Sequence, residues 1–221
     1  MIDPDFFTEL VSATRVTVLL ALSSTLVLIL LAPSIAWWLS RSRSRLRSVV
    51  EATTALPLVL PPTVIGFYLL LGYSGVGNYS GYSLAFSFSG LVVGSVIYSL
   101  PFVIQPLTTA FRAIDNRVLE AAASLGATPR VQFLRVVLPM HRKSLIAAAT
   151  LGFAHTLGEF GIVLMIGGNI EGETRVLSIL LFDQVESLQY QNAHITALMM
   201  LFIALVMLSV IYRFQDQPRD D

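Results

Sequence analysis

DNRVLEAAASLGATPRVQFLRVVLP, residues 115–139, is a polar stretch between two long apolar runs. Its punctuation predicts two short helices. Asp115 and Asn116 can cap a helix running through Ala123, Gly126 can end it in a left-handed conformation, and Thr128 with Pro129 can cap and open a second. The second helix is expected to stop at Pro139, which has no N–H to continue it. Arg112, Arg117, Arg130, Arg135, Arg142 and Lys143 surround the pair, so the positive-inside rule places it in the cytoplasm. A helical knob in that position is suited to docking another protein.

Outward from this stretch, 55% of the residues are apolar and only 13% are charged, and the apolar ones gather into long runs. That composition is an integral membrane protein's. A span needs about 20 mostly apolar residues, and five runs qualify, at about 16–39, 52–73, 88–111, 144–168 and 193–212. The expected fold is an all-α polytopic bundle of about five transmembrane helices, one transmembrane domain over residues 1–221 with the cytoplasmic segment at about 115–140. Arg41, Arg43, Arg45 and Arg47 follow the first run, and Arg213 and Arg219 follow the fifth. The opposite loops carry mainly Asp3, Asp5, Glu9, Glu171, Glu173, Asp183 and Glu186, which places the N-terminus outside and the C-terminus inside. Acidic leading residues, with the basic cluster after the first run, disfavour a cleaved leader. The arginines at 41–47 sit at a span end, which assigns them to topology and anionic lipid instead of nucleic acid. With no cysteine, disulfides, thiol nucleophiles and thiolate metal sites are excluded.

Two runs carry unusual residues. Pro57, Pro61 and Pro62 interrupt the second, and a helix broken inside a membrane faces protein or a wet cavity. Pro61, Pro62 and Thr63 are therefore candidate pathway or helix-contact residues. Pro101, Gln105 and Pro106 repeat the argument more weakly in the third run, and Gly75, Gly77, Asn78 and Gly81 read as a turn-rich outer loop. The fourth run holds HTLGEFG, residues 155–161. An intramembrane ionisable group is functional by default, so Thr156 and Glu159 are candidates too, with Glu159 read first as a brace paired to His155 four residues away. Residues 175–188 read as an amphipathic helix too short and charged to span, lying at the outer surface or dipping between helices. Gly72-Tyr73-Ser74-Gly75 matches a short G-x-S-x pattern. Paired with His155, it keeps an intramembrane serine hydrolase as a distant alternative, although His155 lies deeper than Ser74.

The spacing Glu120-Ala121-Ala122, three residues, Gly126, nine residues, Val136-x-Leu138-Pro139 resembles the EAA loop of importer-type ABC transporter permeases. LVLPPTVIG at 58–66 and HTLGEFGIVLMIGGNIEGET at 155–174 resemble the molybdate branch of that family; sulfate permeases share a looser version. Together these cover most of the chain from Leu56 to His194. The resemblance implies a coupling helix, with Glu120, Ala121, Ala122, Gly126, Leu138 and Pro139 seated on a separate ATPase. It implies a permease for molybdate or tungstate, with sulfate or another oxyanion as the alternative. It also implies a homodimer, two ABC ATPase subunits and an external molybdate-binding protein.

Independently, no G-x-x-x-x-G-K-[ST] occurs, and the single lysine, Lys143, follows His141-Arg142 without a glycine loop. The chain therefore has no means of cradling ATP phosphates. ATP and Mg belong to the partner ATPase, and no catalytic residue, metal or cofactor is assigned to this chain.

Overall fold

The computed structural model describes residues 5–80 and 83–215, and every regular element among them is helical. The first apolar run becomes α1, Phe6–Arg41. At 1.5 Å per residue it is about 54 Å long, so it overshoots a bilayer core of about 30 Å. It starts well before residue 16 because its first turns are amphipathic, with Phe6, Leu10 and Ala13 buried beside Leu177 and Leu180.

The second run is not one straight span. α2, Leu46–Ala55, and a 3-10 turn at Leu56–Leu58 end at the prolines, and α3, Pro62–Ser80, leaves at 111° to them. Pro61 and Pro62 provide no N–H for the carbonyls of Pro57 and Leu58, so the helix stops and restarts. α3 continues over Gly75, Gly77 and Asn78, where an outer loop was expected. A helical glycine is disfavoured by only about 1 kcal/mol relative to alanine. Gly81, Asp3 and Arg219, also used in the sequence reading, lie outside the described residues.

The third run is α4, Phe88–Arg112, close to expectation and started by Ser87, whose Oγ accepts the Gly90 N–H at 3.2 Å. Its C-terminal half packs on α1 through Leu28, Ala32, Ala36 and Leu39 against Val103, Ile104, Leu107 and Phe111. The alanines keep the two backbones close, the usual device where helices meet in lipid.

The polar segment between the third and fourth runs forms α5, Asn116–Ser124, then α6, Pro129–Gln132, a π-helical turn at Phe133–Val137, and α7, Leu138–Met140. Pro139 does not stop this second helix. The widened turn, in which Leu138 N–H bonds to Phe133 O, absorbs the missing proline donor, and the break falls at His141 instead.

The fourth run is also broken, into α8, Arg142–Leu157, and α9, Gly161–Gly167, bent by 63°. Next come α10, Leu177–Glu186, shorter than the expected 175–188, and α11, Tyr190–Gln215. α10 dips between helices. Leu177, Ser178, Ile179, Leu180 and Gln184 are buried, and the Leu177 N–H bonds to Thr17 Oγ1 in α1 at 2.8 Å. Among the described residues three helices, α1, α4 and α11, are long and apolar enough to cross a bilayer alone; the count reaches five when each bent pair is one span.

Candidate functional site

The knob formed by α5 to α7 is built on local rules. The Asp115 carboxylate accepts the Arg117 N–H at 2.9 Å and opens α5. At its end Gly126 N–H bonds to Ala123 O at 2.9 Å and Ala127 N–H to Ala122 O at 3.0 Å. Gly126 has φ of +84°. These two bonds and that angle are a Schellman cap. Thr128 has the extended backbone of a cap and precedes Pro129, but its side chain makes no capping bond.

Glu120, Ala121 and Gly126 are exposed on this knob, whereas Ala122 is half-buried. Leu138 is half-buried against the inner core and Pro139 is exposed. The sequence reading missed Leu125, which is 89% exposed at the tip. A large apolar side chain directly before a helix-ending glycine is the signal that was available.

The knob is tied to the spans by aromatic packing and by Arg41. Phe133 stacks on Trp37 with ring centroids 5.9 Å apart and meets Phe111 edge-on at 6.5 Å. Arg41 donates to Asn116 Oδ1 at 2.6 Å and to the carbonyls of Phe111 and Ile114 at 3.3 and 3.2 Å. Its guanidinium lies 5.0 Å from the Trp37 ring centroid. One side chain thus joins the ends of α1 and α4 to the start of α5. Charged hydrogen bonds contribute about 1.5–3 kcal/mol each, and an ammonium does not reproduce the fork. We therefore expect Arg41→Lys to lower the melting temperature of the purified chain by several degrees. Unchanged melting would leave Arg41 with a lipid-facing role only.

At mid-chain the two broken spans meet. A Cβ on Gly161 would lie 3.0 Å from Pro62 Cβ and 3.6 Å from Thr63 Cγ2, so the Pro61-Pro62-Thr63 break abuts the start of α9. Glu159 sits in the neighbouring break, 4% exposed. Ser95 and Ser99 of α4 donate to its two oxygens at 2.5 and 2.8 Å, and Ser178 of α10 donates to its backbone carbonyl at 2.5 Å. His155 Nδ1 lies 3.5 Å from Glu159 and 2.9 Å from Ser99 Oγ, while Thr156 Oγ1 is 3.1 Å from Ser99 Oγ. The cluster pins α4, both halves of the fourth span, and α10 to one another. Ser95, Ser99 and Ser178 were not singled out from sequence, because single serines in apolar runs carry no spacing signal.

The hydrolase alternative finds no geometry here. Ser74 donates to the Leu70 carbonyl at 3.0 Å, whereas His155 engages Ser99 and stacks on Phe102 at 3.8 Å. Ser99, His155 and Glu159 do not form a relay either. Serine and carboxylate approach the same ring nitrogen, while a relay needs the base between them using both.

Residues 29–217 match the family described as binding-protein-dependent transport system inner membrane component. The chain is 50% identical over 208 residues to the molybdenum transport system permease protein ModB of Azotobacter vinelandii, covering 91% of this chain and 92% of that one. It is 32% identical over 215 residues to the sulfate transport system permease protein CysT of Synechocystis sp., covering 95% and 75%. In three dimensions it is similar to a crystal structure of a bacterial ABC transporter involved in alginate import, with a TM-score of 0.74 at 17% identity over 97% of this chain and 82% of that one. That likeness bears on the fold.

Proposed function

We propose that this chain, which belongs to the family of binding-protein-dependent transport system inner membrane components, is the permease subunit of an ATP-driven importer that carries molybdate or tungstate into the cytoplasm. The observation that carries the reading is the 50% identity, over nine-tenths of both chains, to a molybdenum permease. The sulfate permease is markedly less similar, so sulfate is the second reading.

Two copies of the chain enclose a hydrophilic route between them, the simplest way for so few spans to shelter a polar solute. Two ATPase subunits receive the α5 knobs, and an external binding protein delivers the anion. Closure of the ATPases on ATP moves the knobs, and the rigid connection through Phe133, Trp37 and Arg41 passes that motion to α1 and α4, since packed interfaces switch between discrete arrangements. Pro61, Pro62 and Thr63, together with the Glu159 break, are the places where the bundle can bend. Glu159 is itself a helix brace, because a buried carboxylate would repel a dianion.

The test is reconstitution in vesicles with the ATPase and the binding protein. ATP-dependent molybdate accumulation, competed by tungstate better than by sulfate, is the expected result. Sulfate uptake without molybdate uptake would replace the substrate, and uptake indifferent to ATP would remove the assignment. Topology is checked separately in this cysteine-free chain. An impermeant thiol reagent added outside should label Glu171→Cys and spare Ser44→Cys; the reverse would invert the chain and put the knob on the wrong side.

A further inference from the structure

Beside the first turns of α1 lies a cavity of about 490 Å³, lined chiefly by Ser12, Arg15, Val16, Leu19, Phe88 and Glu173. Its size is that of a small-molecule site, roughly 300–1,000 Å³. Its depth in the bilayer follows from α1. Trp38 is exposed near the other end of the helix, close to Arg41, and tryptophan collects at membrane boundaries. From Trp38 the helix rises about 34 Å to Arg15, and the hydrocarbon core is about 30 Å thick. Arg15 therefore stands just past the far edge of that core, at the level of the lipid headgroups. Below it Leu19, Leu22, Leu26 and Leu30 form an exposed apolar stripe, spaced to share one face of the helix.

The cavity wall carries one charge of each sign, and the two do not meet. Arg175 takes Glu9 and Glu171, each at 3.8 Å, which fastens the loop at 170–175 to α1. Gly172 lies so close that a Cβ there would stand 3.9 Å from Ser12 Oγ. Arg15 and Glu173, held on either side of the space, form no ion pair among the described residues. Thr14 and Thr17 bond back to the carbonyls of Leu10 and Ala13 at 2.6 and 2.7 Å, whereas the Ser12 hydroxyl makes no such bond. The cavity is neutral as a whole but polarised, which suits neither a bare anion nor a bare cation. It suits a ligand that carries both charges: a phosphate for the guanidinium fork, an ammonium with N–H donors for the carboxylate, and an apolar body for Val16, Leu19 and Phe88.

We propose that this cavity binds the headgroup of an aminophospholipid of the phosphatidylethanolamine class, in the leaflet at the N-terminal end of α1, with the acyl chains lying along the leucine stripe. The proposal rests on the membrane reading of the chain and not on which anion it carries. Free phosphoethanolamine has the same headgroup chemistry, and the test separates the two.

Native mass spectrometry of the detergent-purified transporter, incubated with equal amounts of phosphatidylethanolamine, phosphatidylcholine and phosphatidylglycerol, counts the lipids that stay bound. Phosphatidylethanolamine should be retained in preference to the other two. Arg15 and Glu173 are exposed, so replacing either leaves the core untouched. Arg15→Gln should weaken retention of phosphatidylethanolamine by about 10-fold, the size of one charged contact, and Glu173→Gln should erase its preference over phosphatidylglycerol. A bulky maleimide on Val11→Cys, an exposed position lining the same cavity in a chain without cysteine, should displace it. Equal retention of the three lipids overturns the site, as does a preference that survives either charge substitution. Preference for phosphatidylglycerol overturns it in favour of plain attraction of anionic lipid to Arg15. Displacement of the lipid by an equal concentration of soluble phosphoethanolamine overturns it in favour of the free amine phosphate. A disulfide between two Val11→Cys copies, with lipid retention unchanged, overturns it in favour of a second copy on this face. Weaker binding of the external binding protein to Arg15→Gln, again with unchanged lipid retention, overturns it in favour of a protein contact. ATP-driven molybdate uptake, measured on the wild-type assembly in parallel, reports on the transport reading independently of these outcomes.

Discussion

Replacing Leu125 by aspartate weakens association with the ATPase by about 10- to 100-fold while the permease stays folded in the membrane. Leu125 is 89% exposed at the tip of the knob and contributes nothing to the chain's own core, so its loss does not unfold anything. Burying a leucine fully on a partner is worth about 1.5–3 kcal/mol, which corresponds to the stated range in affinity, and a charge at the centre of an apolar contact adds to the loss. Gly126→Val separates shape from contact. A Cβ there meets nothing within 4 Å, so the whole penalty comes from the left-handed backbone at φ of +84°, roughly 1–2 kcal/mol. The valine variant should keep Leu125 available but aim it badly, giving a bound ATPase whose hydrolysis is poorly linked to uptake. Purified complexes answer this with two measurements, ATPase retained per permease and molybdate moved per ATP. Full retention and full uptake in Leu125→Asp would end the assignment of this knob as the ATPase contact.

The difference between those two residues also explains what the sequence could reveal. Gly126, Asp115 and Pro129 are legible because capping is a local matter: each residue acts on backbone groups within a few positions, and the structure puts a Schellman turn and an Asp cap where the letters require them. Leu138-Pro139 misled because a π-helical turn five residues long sits before the proline, and no residue type announces such a turn. Spans one, three and five were readable as apolar runs. Span two was read as interrupted at its prolines, whereas span four was read as continuous, because hydropathy counts composition and has no sense of direction. It passes through Pro61-Pro62 and through Gly158–Phe160 without registering turns of 111° and 63°. Prolines at least flagged the first of these. At the second the chain turns after Gly158, and the partners that make the turn tolerable, Ser95, Ser99 and Ser178, come from two other helices. Non-local satisfaction of that kind has no local signature.

The same non-locality makes Glu159→Leu the substitution expected to damage assembly most within the membrane. Leucine approximates the volume of glutamate, so the damage does not arise from a cavity. It arises from what is left behind: Ser95, fully buried, loses its side-chain acceptor, and Ser99 and His155 lose the carboxylate that joins them to the break and keep only each other and Thr156. A stranded buried polar group costs about 1–3 kcal/mol, a sizeable part of the stability of a typical domain. In lipid no water replaces the lost partner. The break between α8 and α9 would then lose its tie to α4. Glu159→Gln behaves differently, because the amide oxygen still accepts from one serine and the shape is kept; it should assemble and retain most uptake. A double substitution, Ser95→Ala with Ser99→Ala, should partly rescue Glu159→Leu, since removing both the donors and the acceptor leaves an apolar contact with fewer unmet groups. Dimer recovery after purification and molybdate uptake in vesicles distinguish the variants. A leucine variant that assembles normally yet moves no anion would overturn the bracing role and place this carboxylate on the route itself.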